Sequence, residues 1–472
     1  MCLRDPYDPE RFRADGHRLI DALADEMTRW HARDGVVIPW REPTRGAWAL
    51  DGERGDLVDD LTRIARASTA LANPRCMGHQ VPPPVPAAAL AELVAAVLNN
   101  STAVYQMSPA GAPIELAVVD WMARKLGMPE GAGGVLTSGG SVGNLTALLA
   151  MRQAHAGFDA WTEGTRQGPQ LAVIASDDMH YSLSRALRIM GWGERGAISA
   201  PIDANHRLTP AAVERALAEA GDRKVIGVIA SAGSTATGAI DPLDELAELC
   251  ASRGLWLHVD AAHGGGLALS ATHRHKLAGL GRADSVVWDA HKMMMMPSLV
   301  TAVVFKRESH VYEAFAQKAS YLFAAAPPSE RWWDLGTRTL ECTKRIMAIE
   351  IWTALRSVGE AWFGEVVDRQ LELAAALADH VAAAPDFELA LRPDSNIVCF
   401  RHLGSAEAPI AASELDAHNR ALQQRVVEDG RFYIVGTQLP RGYFLRSTLM
   451  NPLTEPSDLT GLVDHLRALC RR

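Results

Sequence analysis

The spacing of apolar residues changes twice along the chain. In the N-terminal segment, apolar side chains recur at intervals of three and four: Ile20, Leu23, Met27 and Trp30 make one stripe along a helix face. No strand signal occurs before residue 72. The segment has too little core to stand alone, so it is expected to pack on another domain or across a subunit interface. Prolines then interrupt the pattern in NPRCMGHQVPPPVP (73–86), which reads as a structured loop. Helices are predicted over 87–98 and 114–126.

From about residue 130 the pattern becomes one of short apolar runs separated by helical stretches. Residues 171–175, 225–230, 255–259, 286–288 and 300–305 read as buried strands. Thr209-Pro210 and Asp241-Pro242 each put a capping side chain before a proline at the first helical position. This alternation predicts an α/β fold with a largely parallel sheet covered on both faces and ligands at the carboxyl ends of its strands. After Arg356 come long helices to about residue 383, short strand candidates at 396–400, 432–435 and 443–446, and a last helix after Ser457. The expected organisation is an N-terminal helical segment (1–72), a large domain (73–355) and a small C-terminal α+β domain (356–472).

Composition narrows the function classes. At 472 residues two or three domains are expected, and 48% apolar with 22% charged residues is the balance of a soluble globular protein. The net charge of −9 argues against nucleic acid or an anionic membrane as the main partner. No apolar run reaches spanning length, because the best candidate, 85–98, is broken by Pro86 and Glu92. The charged start, MCLRDPYDPERFR, lacks the apolar core of a signal peptide. Six cysteines are scattered singly with no C-x-x-C, which fits a reducing cytoplasm better than a disulfide framework or a zinc site. His273 and His275 have no third ligand nearby and read as a solvated loop, so no metal is expected.

Four stretches carry candidate chemistry. Thr137 to Asn144 (TSGGSVGN) leads into a helix, and its glycines with free N–H groups suit either an anion or an ordinary helix start. A literal G-x-G-x-x-G, Gly191 to Gly196, follows a helical run rather than a strand and is rejected as a dinucleotide motif. Asp260 ends the apolar run of 255–259, where a carboxylate needs a cationic partner, whether a salt bridge or a ring nitrogen. Lys292 follows the strand of 286–288 and precedes an apolar segment containing the four methionines 293–296, which read as adaptable core filling. Alone it reads as a snorkelling lysine; near neutral pH a desolvated amine there could hold a carbonyl as a Schiff base. Phosphate cradle, acidic ring-nitrogen partner and amine together make the parts list for pyridoxal 5'-phosphate, with His180 as a ring to stack on it.

HVDAAHGG (258–265) followed by ADSVVWDAHK (283–292) resembles the group II pyridoxal-phosphate amino-acid decarboxylases, which include the glutamate, cysteine-sulfinate, aromatic-amino-acid and diaminobutyrate enzymes. The similarity runs from about Asn73 to the final helix. It implies fold type I of the pyridoxal-phosphate enzymes, resembling the aspartate aminotransferases, and a homodimer with its active site at or near the subunit interface. It also implies that Lys292 holds the cofactor as a Schiff base, that Asp260 partners the pyridine nitrogen, and that His180 stacks on one ring face with Ala262 on the other. Thr235 would line the cofactor site, and His291 with Gly140 and Ser141 would hold the phosphate. ASYLF (319–323) is similar to a mobile active-site loop whose tyrosine, here Tyr321, gives a proton to Cα. Arg446, in FLRST, would take the substrate carboxylate, with His79 beside the substrate.

Three positions depart from the family pattern: His263 stands for a usual tyrosine, Asp289-Ala290 for Asn-Pro, and 76–81 lacks the Phe-Asn-Gln pattern of the acidic-substrate branch. The implied activity is α-decarboxylation of an L-amino acid to an amine and CO₂. The alternatives are decarboxylation coupled to oxidative deamination or transamination, giving an aldehyde, and a non-catalytic cofactor-binding protein. Tyr321 and His180 together favour the simple reaction.

Overall fold

The computed structural model describes residues 4–45, 48, 55–166, 168–315 and 328–471. Its larger unit, Gln80–Glu372 with Pro393–Ile397, is built on a seven-stranded sheet. The strands are β1 (Gly133–Thr137), β2 (Leu171–Ser176), β3 (Ala197–Ala200), β4 (Lys224–Ser231), β5 (Trp256–Asp260), β6 (Ser285–Asp289) and β7 (Thr301–Phe305). They lie in the order β1-β7-β6-β5-β4-β2-β3. β3, β2, β4, β5 and β6 are mutually parallel, and β7 is antiparallel to both its neighbours, β6 and β1. The carboxyl ends of β1, β2, β5 and β6 therefore share one edge of the sheet. Strands β1, β2, β5, β6 and β7 are buried along their whole length, as unbroken apolar runs in a helix-covered sheet require.

The apolar pattern hides β1 and β3. β1 opens on Gly133-Gly134, residues poor in strand propensity, yet a Cβ at 134 would lie 2.1 Å from the Val303 carbonyl oxygen. Only glycine lets β1 pair with β7 there. Asp241 also differs from expectation. The helix Leu243–Arg253 starts one residue later, with Pro242 in the cap position, because the Asp241 carboxylate is occupied elsewhere. It accepts from the N–H groups of Ser231 and Leu208, at 2.7 and 2.8 Å. Thr209 does cap the helix Pro210–Ala218, accepting from the Ala212 N–H at 3.2 Å.

β1 is pinned from outside the sheet as well. Glu115, on the helix Gly111–Lys125, accepts from the Leu136 N–H at 3.0 Å and pairs with the ammonium of Lys344; both charged side chains are buried.

The smaller unit is formed by Met1–His79, Leu373–Arg392 and Val398–Arg472. Its sheet has the order β10-β11-β9-β8, from β8 (Phe387–Leu389), β9 (Ile397–His402), β10 (Val435–Leu439) and β11 (Gly442–Thr448). The strand expected over 432–435 begins where it was expected to end. Phe432 and Ile434 enter the core, while Met77 donates its N–H to the Tyr433 carbonyl at 2.9 Å and accepts from Thr448 at 2.8 Å. β10 itself reads VGTQL, with half-exposed polar residues that give no apolar signal. The N-terminal segment joins this unit at several points, two of them well defined. Arg33 makes a bidentate pair with Asp458 at 2.7 and 2.8 Å, and the Val37 N–H donates to the Gly430 carbonyl at 2.7 Å.

Lys344→Met would leave the Glu115 carboxylate buried without its cation. It is expected to cost about 3–5 kcal/mol, read as a lowered urea midpoint, and the double variant Glu115→Gln/Lys344→Met should recover most of that loss.

Candidate active site

The shared carboxyl edge of the seven-stranded sheet collects most of the predicted site residues. Asp260 ends β5, and its carboxylate accepts from Asn144 Nδ2 at 3.0 Å and from the Ala262 N–H at 3.1 Å. Asn144 lies in the second turn of the helix Gly140–His155 and also donates to Ser182 Oγ at 3.0 Å, so both amide hydrogens are used. Its Oδ1 is left to accept from His258 Nε2 at 3.0 Å. His258 precedes Asp260 by two residues on β5, so both side chains leave the same face of the strand. Trp256 Nε1 can only donate, and does so to Ser285 Oγ at 2.9 Å; the hydroxyl hydrogen then goes to His258 Nδ1, also at 2.9 Å.

A neutral His258 carrying its hydrogen on Nε2 satisfies every atom of this chain. Burial pushes its pKa down to about 4, against the opposing charge of Asp260. At the far end Ser182 passes its hydroxyl hydrogen to His180 Nδ1 at 2.7 Å, and the Ser182 N–H approaches the same atom at 3.4 Å. Nδ1 is thus an acceptor, and the hydrogen of neutral His180 sits on Nε2. Burial lowers the pKa of His180. Asp260, Lys292 and Asp289 all lie close enough for their charges to act on its ring.

Lys292 lies in the turn after β6. Its Nζ is 2.9 Å from Asp289 Oδ2, the last residue of that strand. Asp289 also accepts from Thr301 Oγ1 at 2.6 Å and lies 3.6 Å from His291 Nε2. Burial pushes the Asp289 pKa up, and the charges of Lys292 and His291 with the hydrogen bonds of Thr301 and Lys292 outweigh it, leaving the carboxyl below its ordinary range. Asp289, the departure from the family pattern, is therefore the ion-pair partner of the lysine. Met293 to Met296 are all buried.

The glycine pair 139–140 stands at the carboxyl end of β1. Gly139 has φ +105°, open to glycine, and no side chain caps the N-terminus of the helix that starts at Gly140. A Cβ at Gly140 would lie 3.0 Å from Asp289 Oδ1, which brings this N-terminus next to the turn of Lys292. Ser141 is exposed beside it. Thr235 lies in the turn after β4 and Ala262 just after β5. His263 hydrogen-bonds Asn396 Oδ1 through Nε2 at 2.6 Å. Gly191 and Gly193 take positive φ in the turn before β3.

Two predicted residues belong to the smaller unit. Arg446, on β11, is buried, and its Nε and Nη2 have no hydrogen-bond partner among the described residues. Burial holds its pKa below the ordinary value; His79 is near enough to feel its charge, and burial with that charge lowers the pKa of His79. Tyr321 lies outside the described residues. Asn144, Ser182 and His258 are the contributors that motif reading passed over. The signal for His258 was its two-residue offset from Asp260 on one strand.

An amine, a carboxylate on a satisfied network, an imidazole and an uncapped helix start behind two glycines are the donor set that pyridoxal phosphate requires, so the residues fit that cofactor. His258 gives the site a pH signature. The unfolded chain binds the histidine proton below about pH 6.5, whereas the folded chain resists it down to about 4. Stability should therefore fall by about 3 kcal/mol as pH drops through that window, and His258→Asn should flatten this part of a urea-midpoint series against pH.

Residues 62–403 match the conserved domain of the pyridoxal-dependent decarboxylases. The chain is 29% identical to the acidic amino acid decarboxylase of Mus musculus, over 98% of this chain and 86% of that one. It is 30% identical to the cysteine sulfinic acid decarboxylase of the same species, over 92% and 91%. The crystal structure of mouse CSAD superposes with a TM-score of 0.89 at 28% identity, covering 98% of this chain and 99% of that one. With the fold, the donor set and the sequence in agreement, the chain belongs to the pyridoxal-dependent decarboxylases, enzymes that use pyridoxal 5'-phosphate to decarboxylate amino acids.

Proposed function

We propose that this chain decarboxylates an L-amino acid to the amine with Lys292 as cofactor anchor, Asp260 as partner of the ring nitrogen, and Arg446 as receptor of the substrate carboxylate. The observation that supports the reading is the placing of Asp260 at the carboxyl end of β5 beside the Lys292–Asp289 pair, 2.9 Å apart, at the carboxyl end of the neighbouring parallel strand β6. Pyridoxal phosphate, when bound, supplies an electron sink for the pair released as the Cα–carboxylate bond breaks.

Each side chain then has a task set by its surroundings. Lys292 presents its amine from a turn stiffened by buried methionines, with Asp289 as its counter-ion until the cofactor is taken up. Asp260 would hold a proton on the ring nitrogen, and Asn144 and the Ala262 N–H fix that carboxylate in place. His180, held by Ser182 through Nδ1, would offer a flat face for stacking on the ring, with Ala262 on the other face. Gly140, Ser141 and His291 would cradle the phosphate, and Thr235 would line the site. Arg446 offers two donor nitrogens with no hydrogen-bond partner among the described residues, the complement of a carboxylate, and His79, near enough to feel its charge, would contact the substrate. Tyr321 would return a proton to Cα.

We also propose that the chain works as a cytoplasmic homodimer. The helix Pro86–Leu98 leaves Leu90, Leu93, Val94, Val97 and Leu98 exposed, an apolar face that a second copy would cover. Among the described residues no helix is long and apolar enough to cross a membrane.

The decisive experiment offers the cofactor-loaded protein a panel of L-amino acids, beginning with the acidic and sulfinic side chains taken by its relatives. CO₂ and amine should appear in equal amounts without aldehyde; no CO₂ from any amino acid would sink the reading. Lys292→Ala should lose both turnover and the bound cofactor's absorbance. Arg446→Lys should raise KM by about 10- to 100-fold, the loss of one or two charged hydrogen bonds. Sedimentation should give the mass of two chains, and Leu93→Lys/Val97→Lys that of one.

A further inference from the structure

Outside the active site, three potential ligands meet in the smaller unit. His402 ends β9, His418 lies in the first turn of the helix Leu415–Asp429, and Cys470 is the last residue of the helix Pro456–Cys470. His402 Nδ1 is 3.0 Å from His418 Nε2, and Cys470 Sγ is 3.6 Å from the first and 3.8 Å from the second. Tetrahedral zinc with Zn–N near 2.0–2.1 Å and Zn–S near 2.3 Å places its nitrogens about 3.4 Å apart and its nitrogen and sulfur about 3.5 Å apart. The two nitrogen–sulfur edges are close to that value, and the nitrogen–nitrogen edge is shorter by about 0.4 Å.

The surroundings resemble those of a metal ligand set. His402 turns its other nitrogen, Nε2, towards Asp386 Oδ2 at 3.9 Å, and Arg467 holds that carboxylate by two bonds of 2.7 and 2.8 Å. A carboxylate behind a ligating imidazole fixes its ring and raises its basicity. The backbone is tied independently of any ion. Asn419, next to His418, accepts from the His402 N–H at 2.8 Å and donates to its carbonyl at 3.0 Å. His402 is buried, whereas His418 and Cys470 are half-buried, so one side opens to solvent.

We propose that His402, His418 and Cys470 form a zinc site, with water as the fourth ligand, that fastens the last residue of the final helix to β9. On binding, the thiol proton passes to solvent. The ring hydrogen between the two imidazoles moves to the distal nitrogen of its own ring, leaving two neutral ligands and a thiolate. The assignment is independent of the decarboxylation reading, and its test needs no turnover.

The test uses the full-length, cofactor-loaded protein, stripped of metal by chelator and titrated with Co²⁺. One equivalent per chain should give the strong visible bands of tetrahedral cobalt and a thiolate-to-cobalt charge-transfer band. One equivalent of Zn²⁺ should displace it, and the thermal midpoint should rise. Cys470→Ser should lose the charge-transfer band and bind about 100-fold more weakly or worse, at or beyond the upper end for loss of an outer-shell partner. His418→Gln should weaken binding similarly but keep the charge-transfer band at saturation, which preserves the test if one variant fails to fold. Absence of stoichiometric uptake, or uptake with the same spectrum and affinity in both variants, would overturn the proposal and leave a hydrogen-bonded cluster.

Discussion

A carboxylate buried at the end of a parallel strand carries a desolvation cost that donors must offset, and much of the large unit is arranged to meet that demand at Asp260. Asn144 reaches it from a helix that follows β1, so the carboxyl end of β1 must lie at the same edge of the sheet as that of β5. That placement depends on Gly134 fitting against Val303 and on the Glu115–Lys344 pair that holds the Leu136 N–H. Behind Asn144 stand His258, Ser285 and Trp256, each with one role left to it by its neighbour. Since the indole can only donate, the direction of the whole chain is fixed at that end. It runs from the interior of the sheet to the ring of His180.

The second buried carboxylate solves the same problem differently. Asp289 meets the Lys292 ammonium as well as the Thr301 hydroxyl, so its charge is matched by a cation and not by neutral donors alone. Two acids at neighbouring strand ends are thereby set in contrasting environments. One rests on a neutral network, and the other is committed to the lysine until something else claims the amine.

The α/β fold class was legible in the sequence because local features encode it, and so was the position of Asp260 and Lys292 at or just beyond strand ends. Continuous apolar runs marked the buried central strands, and Lys292 and Asp260 stood out as ionisable groups at their ends. What escaped reading depends on contacts distant in sequence. β1 is rich in glycine for a steric reason that only its partner strand reveals, and Asp241 gives up helix capping to serve β4 and Leu208. Asn144 looked like one residue of a phosphate-binding motif, and its link to Asp260 spans 116 positions. His402, His418 and Cys470 have no motif spacing, and only the packing of β9 against two helices brings them together.

The backbone bonds that join Met77 to Tyr433 and Thr448 have a consequence for the order of synthesis. The smaller unit draws on both chain ends, with the whole of the larger unit encoded between them. A nascent chain can finish the seven-stranded sheet before β10 and β11 are made, but the helices that precede the larger unit must wait for the residues that follow it. Phe12, Ile20, Leu57, Leu61 and Ile64, still exposed in the folded chain, are then part of an apolar surface that stays open through most of translation. The segment up to His79, made before the larger unit, is thus secured only after it.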